Sequence, residues 1–242
     1  MGVVQILLFF KSYSPAQREQ HITTWARKML AIFNIQVVAQ GVPPDVSGRG
    51  ALLVSNHVSW LDIHVLHSLL SVRFISKAEV RGWPVIGWLA QETGTVFLVR
   101  EKKADALRVN QAMAEHIAAG DLLVFFPEGT TSDGRDLLPF FPSLFQPAVD
   151  AKADIWPVYL RYRDLQGQYC DAAAYYGDIT MGQSLWRVAQ LDGLIVEVRF
   201  LPVIPSTPEA TRKTLAQQAE AIIRAAQTQT QSETQAKSTV SA

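Results

Sequence analysis

The stretch Ala51-Leu52-Leu53-Val54-Ser55-Asn56-His57-Val58-Ser59-Trp60-Leu61-Asp62 decides the fold. Residues 51–55 form a short apolar run without polar alternation, which reads as a strand buried on both faces, and residues 62–70 read as the helix that follows it. A strand that passes straight into a helix puts the intervening loop at its carboxyl end, where open α/β sheets carry their sites. His57 and Asp62 stand five positions apart across that loop. If the loop turns into the helix between them, the carboxylate can reach back to one ring nitrogen. That would fix the imidazole tautomer and leave the other nitrogen as a base near neutral pH, able to take a proton from a hydroxyl. The same residues also suit a plain capped helix start, so spacing alone leaves both readings open.

Downstream the alternation continues. Residues 73–76 predict a strand, 84–91 a short helix, 95–99 a strand, 104–119 a helix closed by Gly120, and 122–126 another wholly apolar strand. Residues 155–161 and 194–200 are later strands, and the alternation of Ile195, Glu197 and Arg199 in the second suggests an edge or one wet face. Upstream, residues 36–40 read as a strand closed by Gly41, followed by a turn-rich connection over 43–50. Ser14, Pro15 and Gln17 offer an N-cap, a first-turn proline and the partner residue of a capping box. In the helix that starts there, Ile22, Trp25, Ala26, Met29, Ile32 and Phe33 share a face. The pattern predicts an α/β fold: a single domain with a mixed, mainly parallel sheet covered by helices.

The chain has 242 residues, 48% of them hydrophobic, which is enough for one sizeable core. Twenty-two basic residues balance twenty-two acidic ones, so no global field draws the protein toward nucleic acid, and any charge-driven recognition is local. One such locality is the start, where Lys11, Arg18, Arg27 and Lys28 face Glu19 alone. A basic amphipathic helix with tryptophan on its apolar side can lie in an anionic lipid surface, and it can equally pack on a core. The apolar run at 3–10, interrupted by Gln5, is far below the roughly 20 residues that cross a hydrocarbon core. It also lacks the flanks of a signal peptide. Cys170, the single cysteine, permits no internal disulfide and fits a reducing compartment. The expected organisation is a membrane-associating segment over 1–34, the main domain over 35–205, and a C-terminal part over 206–242. In that last part, residues 207–226 have helical character, and the Gln-, Ser- and Thr-rich residues 227–242 read as disordered.

Two further loops carry chemistry. The run Gly94-Thr95-Val96-Phe97-Leu98-Val99-Arg100 finishes a strand and delivers Arg100 at its end, where a guanidinium can fork onto a phosphate. Residues 71–103 hold Arg73, Lys77, Arg81, Arg100, Lys102 and Lys103 against Glu79, Glu92 and Glu101; the plainer reading of this excess is a solvated face. The run Phe126-Pro127-Glu128-Gly129-Thr130-Thr131-Ser132 follows the apolar strand at 122–126. Pro127 stiffens the exit, Gly129 permits a tight turn with exposed amides, and Thr130 adds a hydroxyl, a combination suited to a polar head group and also to an ordinary β-turn. Glu128 would repel a phosphate unless it pairs with a cation such as Arg100 or accepts a hydrogen bond from a substrate hydroxyl.

Residues 56–62 match the NHxxxxD block, 94–100 the GxxFxxR block and 126–132 the FPEGTxS block of the glycerolipid acyltransferases, in that family's order. Ile155, Trp156, Pro157 and Val158 resemble its fourth, weaker block. The chain thus resembles the 1-acylglycerol-3-phosphate acyltransferase type of that family over roughly residues 20–205. The resemblance implies acyl transfer from a thioester, acyl-CoA or acyl carrier protein, to the free hydroxyl of a lysophospholipid, with no cofactor or metal. His57 would be the general base and Asp62 its orienting partner. Arg100, Glu128 and Gly129 would face the acceptor head group, with Thr130 and Ser132 beside them. Lys77 is a further phosphate candidate, with a snorkelling surface lysine as the plainer reading. The expected product is phosphatidic acid, and a lyso-ornithine lipid is the alternative acceptor. A bilayer would present such an acceptor, which favours the docking reading of the N-terminal helix and a place on the cytoplasmic face of the membrane. The apolar residues Trp83, Pro84, Val85, Ile86, Trp88 and Leu89 could add a second lipid-facing surface or pack in the core. The rivals are weaker: His57, Asp62, His64 and His67 lack an HExxH pattern for a metal hydrolase, no GxSxG elbow supports a serine esterase, and an inert lipid binder would need no base.

Overall fold

The computed structural model describes residues 13–45, 50–82, 86–98 and 103–240. Helix α1 (Pro15–Ile32) begins with the capping box the sequence predicts: the Ser14 hydroxyl accepts from the Gln17 amide, and the Gln17 side chain accepts from the Ser14 amide. It ends at Asn34, whose left-handed backbone (φ 49°) turns the chain into β1 (Ile35–Gln40). Then follow β2 (Ala51–Ser55), α2 (Leu61–Leu69), β3 (Arg73–Lys77), a 3₁₀ turn (Ala78–Gly82), α3 (Ile86–Glu92), β4 (Val96–Leu98), α4 (Lys103–Ala118) and β5 (Leu122–Phe125). The remainder comprises a second 3₁₀ turn (Pro142–Phe145), α5 (Gln146–Ala151), β6 (Ile155–Arg163), α6 (Met181–Ala189), β7 (Leu194–Phe200) and α7 (Arg212–Val240).

The strands form one sheet in the order β1-β7-β6-β2-β5-β3-β4. Strands β6, β2, β5, β3 and β4 run parallel, whereas β7 pairs antiparallel with β6 and parallel with β1. The apolar runs in β2 and β5 are buried along their whole length because both faces are covered. On one face Leu53, Val124, Val158 and Val196 pack with Leu61, Val65 and Leu66 of α2, Leu30 of α1 and Val188 of α6. On the other, Leu52, Val54, Leu123 and Tyr159 pack with Met113 and Ile117 of α4 and with Leu215, Ala219 and Ile223 of α7. The molecule is a three-layer α/β/α sandwich, the α/β fold with a mainly parallel sheet that the sequence predicts.

Several expectations need correction. Strand β7 is not an edge and its polar side is not wet: it lies between β1 and β6, and Glu197 is 8% exposed. The alternation arises because Glu197 meets Arg163 at 2.8 Å and Arg161 at 3.9 Å under α7, an internal ion pair that imitates a solvated face in sequence. The disorder expected over 227–242 gives way to helix through Val240. Gln227 and Thr230 are buried there, and Glu233 pairs with Arg199 at 2.9 Å. Polar partners, not large apolar side chains, hold this half of the helix. Helices α5 and α6 fall in stretches for which the sequence reading offered no element. On α1, Ala26 and Leu30 are buried and Arg27 donates to the Ser68 carbonyl at 3.0 Å, so this helix packs on the body; Ile32, expected on the same face, is 73% exposed. The apolar run at 3–10, Trp83, Pro84, Val85 and Arg100 lie outside the described residues.

Candidate active site

The carboxyl ends of the five parallel strands point one way, and β2 and β5 are neighbours with Val54 opposite Phe125. The loops that follow them, 56–60 and 126–141, are therefore brought side by side. Asn56 fixes where the first loop departs. Its side-chain oxygen accepts from the Leu160 amide at 2.8 Å and its nitrogen donates to the Leu160 carbonyl at 2.9 Å, so the buried amide extends the β2–β6 ladder by one step. The next residue is then free to turn away from the sheet.

Asp62, in the first turn of α2, is wholly buried and fully engaged. Its Oδ2 accepts from the Val58 amide at 2.8 Å, from the Ser59 amide at 3.0 Å and from His57 Nδ1 at 2.8 Å. Its Oδ1 accepts from the Tyr162 hydroxyl at 2.6 Å. Burial, and next the Asp62 charge, hold the Tyr162 hydroxyl well above its ordinary pKa, so it stays a donor. With donors on both oxygens of the carboxylate, the network assigns the His57 proton to Nδ1. Nε2 is left as the basic nitrogen. The ring stacks on Phe126 at 3.7 Å between centroids, and its side chain keeps 19% exposure, so it is held flat yet reachable.

Glu128 is engaged by the backbone around it. Its Oε1 accepts from the His57 amide at 2.8 Å and its Oε2 from the Leu138 amide at 2.9 Å, and the residue is 2% exposed. Burial pushes its pKa up to about 7 against the opposing pull of those two amides. This carboxyl is a strut that ties the histidine loop to the segment after β5. The Ser132 amide adds a second tie by donating to the His57 carbonyl at 2.9 Å. Gly129 takes φ 69°, the left-handed geometry the turn requires, with its amide donating to the Phe126 carbonyl. Thr130 is exposed.

Lys77 ends β3 opposite Leu98 of β4, so its backbone leaves the sheet at the same end. His64 and His67 do not join His57. Nearby rings are Trp25 and Trp60 for His64, and Phe74 for His67. Burial lowers the His64 pKa to about 4; burial and the His64 charge lower that of His67 to about 3. Among the described residues no group of three His, Cys, Asp or Glu is arranged to hold a metal. Sequence reasoning missed Tyr162, Phe126 as a stacking partner, and the ladder role of Asn56. A signal for Tyr162 was available: it directly follows the strand read at 155–161, where a buried tyrosine needs a partner for its hydroxyl and a buried aspartate needs a donor.

Fold and site together describe an α/β enzyme with a carboxylate-oriented histidine at the carboxyl end of its central strands. A family model described as Acyltransferase matches residues 34–161. The chain is 36% identical over 211 residues to the 1-acyl-sn-glycerol-3-phosphate acyltransferase of Neisseria meningitidis serogroup B, covering 87% of this chain and 82% of that one. It is also 36% identical over 209 residues to the lyso-ornithine lipid O-acyltransferase of Pseudomonas aeruginosa, covering 86% and 79%. The fold matches the crystal structure of the 1-acyl-sn-glycerophosphate (LPA) acyltransferase, PlsC, from Thermotoga maritima with a TM-score of 0.66 at 20% identity, covering 94% of this chain and 86% of that chain. The chain belongs to the acyltransferase family.

Proposed function

We propose that the protein moves a fatty acyl group from a thioester, acyl-CoA or acyl carrier protein, to the free hydroxyl of 1-acylglycerol-3-phosphate, giving phosphatidic acid. The observation that carries this reading is the His57–Asp62 pair, whose carboxylate is saturated with donors and whose imidazole is left with one basic, reachable nitrogen. In the reaction the acceptor oxygen attacks the thioester carbonyl carbon while its proton passes to His57 Nε2. The tetrahedral intermediate collapses, the C–S bond breaks, and the thiolate takes the proton from the imidazolium. Asp62 stabilises the cation formed between these steps. The segment containing Gly129, Thr130 and Ser132 would receive the acceptor head group. Lys77 and Arg100 are proposed as the cations facing its phosphate, and Glu128 shapes the site by fixing its backbone.

A lyso-ornithine lipid is the second reading, favoured by the equal identity to a relative of that name. Either acceptor resides in a bilayer. No described helix is long and apolar enough to cross a membrane, and α1 exposes Lys28 and Ile32. We therefore propose peripheral docking on the cytoplasmic face through α1. The test is transfer in mixed micelles, with labelled acyl-CoA or acyl carrier protein and lysophosphatidic acid, lysophosphatidylcholine or lyso-ornithine lipid. Preference for lysophosphatidic acid is expected, and preference for lyso-ornithine lipid would move the assignment to the second reading. His57→Ala should lower turnover by about 10²- to 10⁴-fold while the protein stays folded. Near-normal turnover in that variant would overturn the base assignment.

A further inference from the structure

Helix α7 carries a polar stripe that has no part in the chemistry above. Glu220, Arg224, Gln227 and Gln231, spaced four, three and four apart, lie on one side of the helix, and all four reach the backbone of residues 134–140. Glu220 Oε2 accepts from the Phe140 amide at 3.1 Å. One guanidinium nitrogen of Arg224 donates to the Leu137 carbonyl at 3.1 Å and to Glu220 Oε1 at 3.0 Å. Gln227 Nε2 donates to the Arg135 carbonyl at 3.2 Å and the Gly134 carbonyl at 3.4 Å. Gln231 Nε2 donates to the Arg135 carbonyl at 3.1 Å. Segment 134–140 is neither helix nor strand, so these side chains satisfy backbone groups that regular structure would otherwise pair. On the apolar side of the same helix, Leu215, Ala219, Ile223 and Ala226 are buried in the core, which gives the stripe a rigid mount.

The other side of the segment faces the candidate active site. The Leu138 amide donates to Glu128, whose second oxygen holds the His57 amide, and the Phe141 amide donates to the Pro127 carbonyl at 2.9 Å. An unbroken series of hydrogen bonds thus runs from α7 through 134–140 and Glu128 to the backbone of His57. We propose that Arg224, Gln227 and Gln231 are positioning residues, which set the place of the 128–140 segment relative to His57 and thereby the fit of the acceptor head group. This rests on the reading that the segment receives that head group. The donors matter more than the bulk: every contact of Gln227 and Gln231 is a donation to a carbonyl, which a carboxylate of the same shape cannot make.

The discriminating variants are Gln227→Glu and Arg224→Ala, with Gln227→Lys and Arg224→Lys as donor-retaining controls. Gln227→Glu and Arg224→Ala are expected to raise the acceptor KM about tenfold or more while the donor KM stays within about twofold, and the lysine variants to restore most of the loss. An unchanged acceptor KM would overturn the proposal, as would a fall in both substrates' parameters in proportion to lost folded protein. Hydrogen exchange keeps this test separate from the functional reading. The amides of Leu138 and Phe140 should exchange faster in Gln227→Glu than in the parent protein whether or not any lysolipid is acylated. Unchanged exchange there would overturn the brace itself, whereas faster exchange with no turnover of any lysolipid by the parent protein would overturn the functional reading and, with it, the acceptor role.

Discussion

At the residue scale, the acids and bases buried around the site pull stability in opposite directions. Glu128 has its pKa raised from 4.5 to about 7, so between those values the folded protein holds a proton that the unfolded chain has lost. Its contribution is fully present below pH 4.5 and disappears as pH rises through 7. His64 and His67 are lowered from 6.5 to about 4 and about 3, so below pH 6.5 the unfolded chain takes protons that the folded protein refuses. Their contribution is lost as pH falls. Two histidine protons outweigh one glutamate proton, each worth about 1.4 kcal/mol per pH unit, so the net loss from pH 6 to 5 is about 1.4 kcal/mol. Glu128→Gln removes the opposing slope and should steepen that loss to about twice the value, whatever it does to stability at pH 7. Urea unfolding of both proteins at pH 5, 6 and 7 checks this, and parallel slopes would contradict the placement of the Glu128 proton. His57 and Asp62 were legible in the sequence because their chemistry is local, five positions apart. Glu128 was legible as a residue but not as a strut, since its partners are the amides of His57 and Leu138, and every residue but proline carries one.

At the scale of elements, the apolar strands, the capping box of α1 and the Gly120 stop after α4 could be read directly, because each is a pattern within a few neighbouring residues. The interior place of β7 and the last part of α7 could not, because each makes sense only in the presence of the other. Glu197 looks solvated until Arg161 and Arg163 are placed beside it, and the Gln- and Thr-rich end of α7 looks disordered until Arg199 and the Arg161 side chain meet Glu233 and the Thr230 carbonyl. Removing one member of such a buried cluster leaves charge without compensation. Glu197→Ala should therefore cost about 3–5 kcal/mol, because Arg161 stays buried and Arg163 half-buried beside it, and a loss below about 1 kcal/mol in denaturant unfolding would show that water already compensates them. Replacing all three with apolar residues of similar volume should be much less harmful than the single change.

At the scale of the whole molecule, β1 runs opposite to the five parallel strands, so its start and the exposed Ile32 just before it lie at the end of the sheet where those strands have their carboxyl ends and the candidate site sits. Docking through α1 would bring that side toward lipid. Deleting α1 is a poor test, because Ala26 and Leu30 are part of the packing against the body and their loss would uncover apolar surface. Substitution of exposed positions is cleaner. Lys28→Glu should weaken binding to vesicles containing phosphatidylglycerol by roughly 1–2 kcal/mol, about five- to thirtyfold, with less effect on neutral vesicles. Unchanged cosedimentation of Lys28→Glu and of Ile32→Ser would exclude α1 as the contact.

The sheet order also sets a timetable. Strand β1 has β7 as its hydrogen-bonded neighbour, yet Gln40 and Leu194 are about 150 residues apart in the chain. At about 5–20 residues added per second, a ribosome needs roughly 8–30 seconds to bridge that gap. For most of that interval α1 can already settle on α2, while the strand it leads into still lacks β7, its partner in the sheet. A newborn copy of this enzyme therefore completes its sheet late, with an early strand waiting for one of the latest.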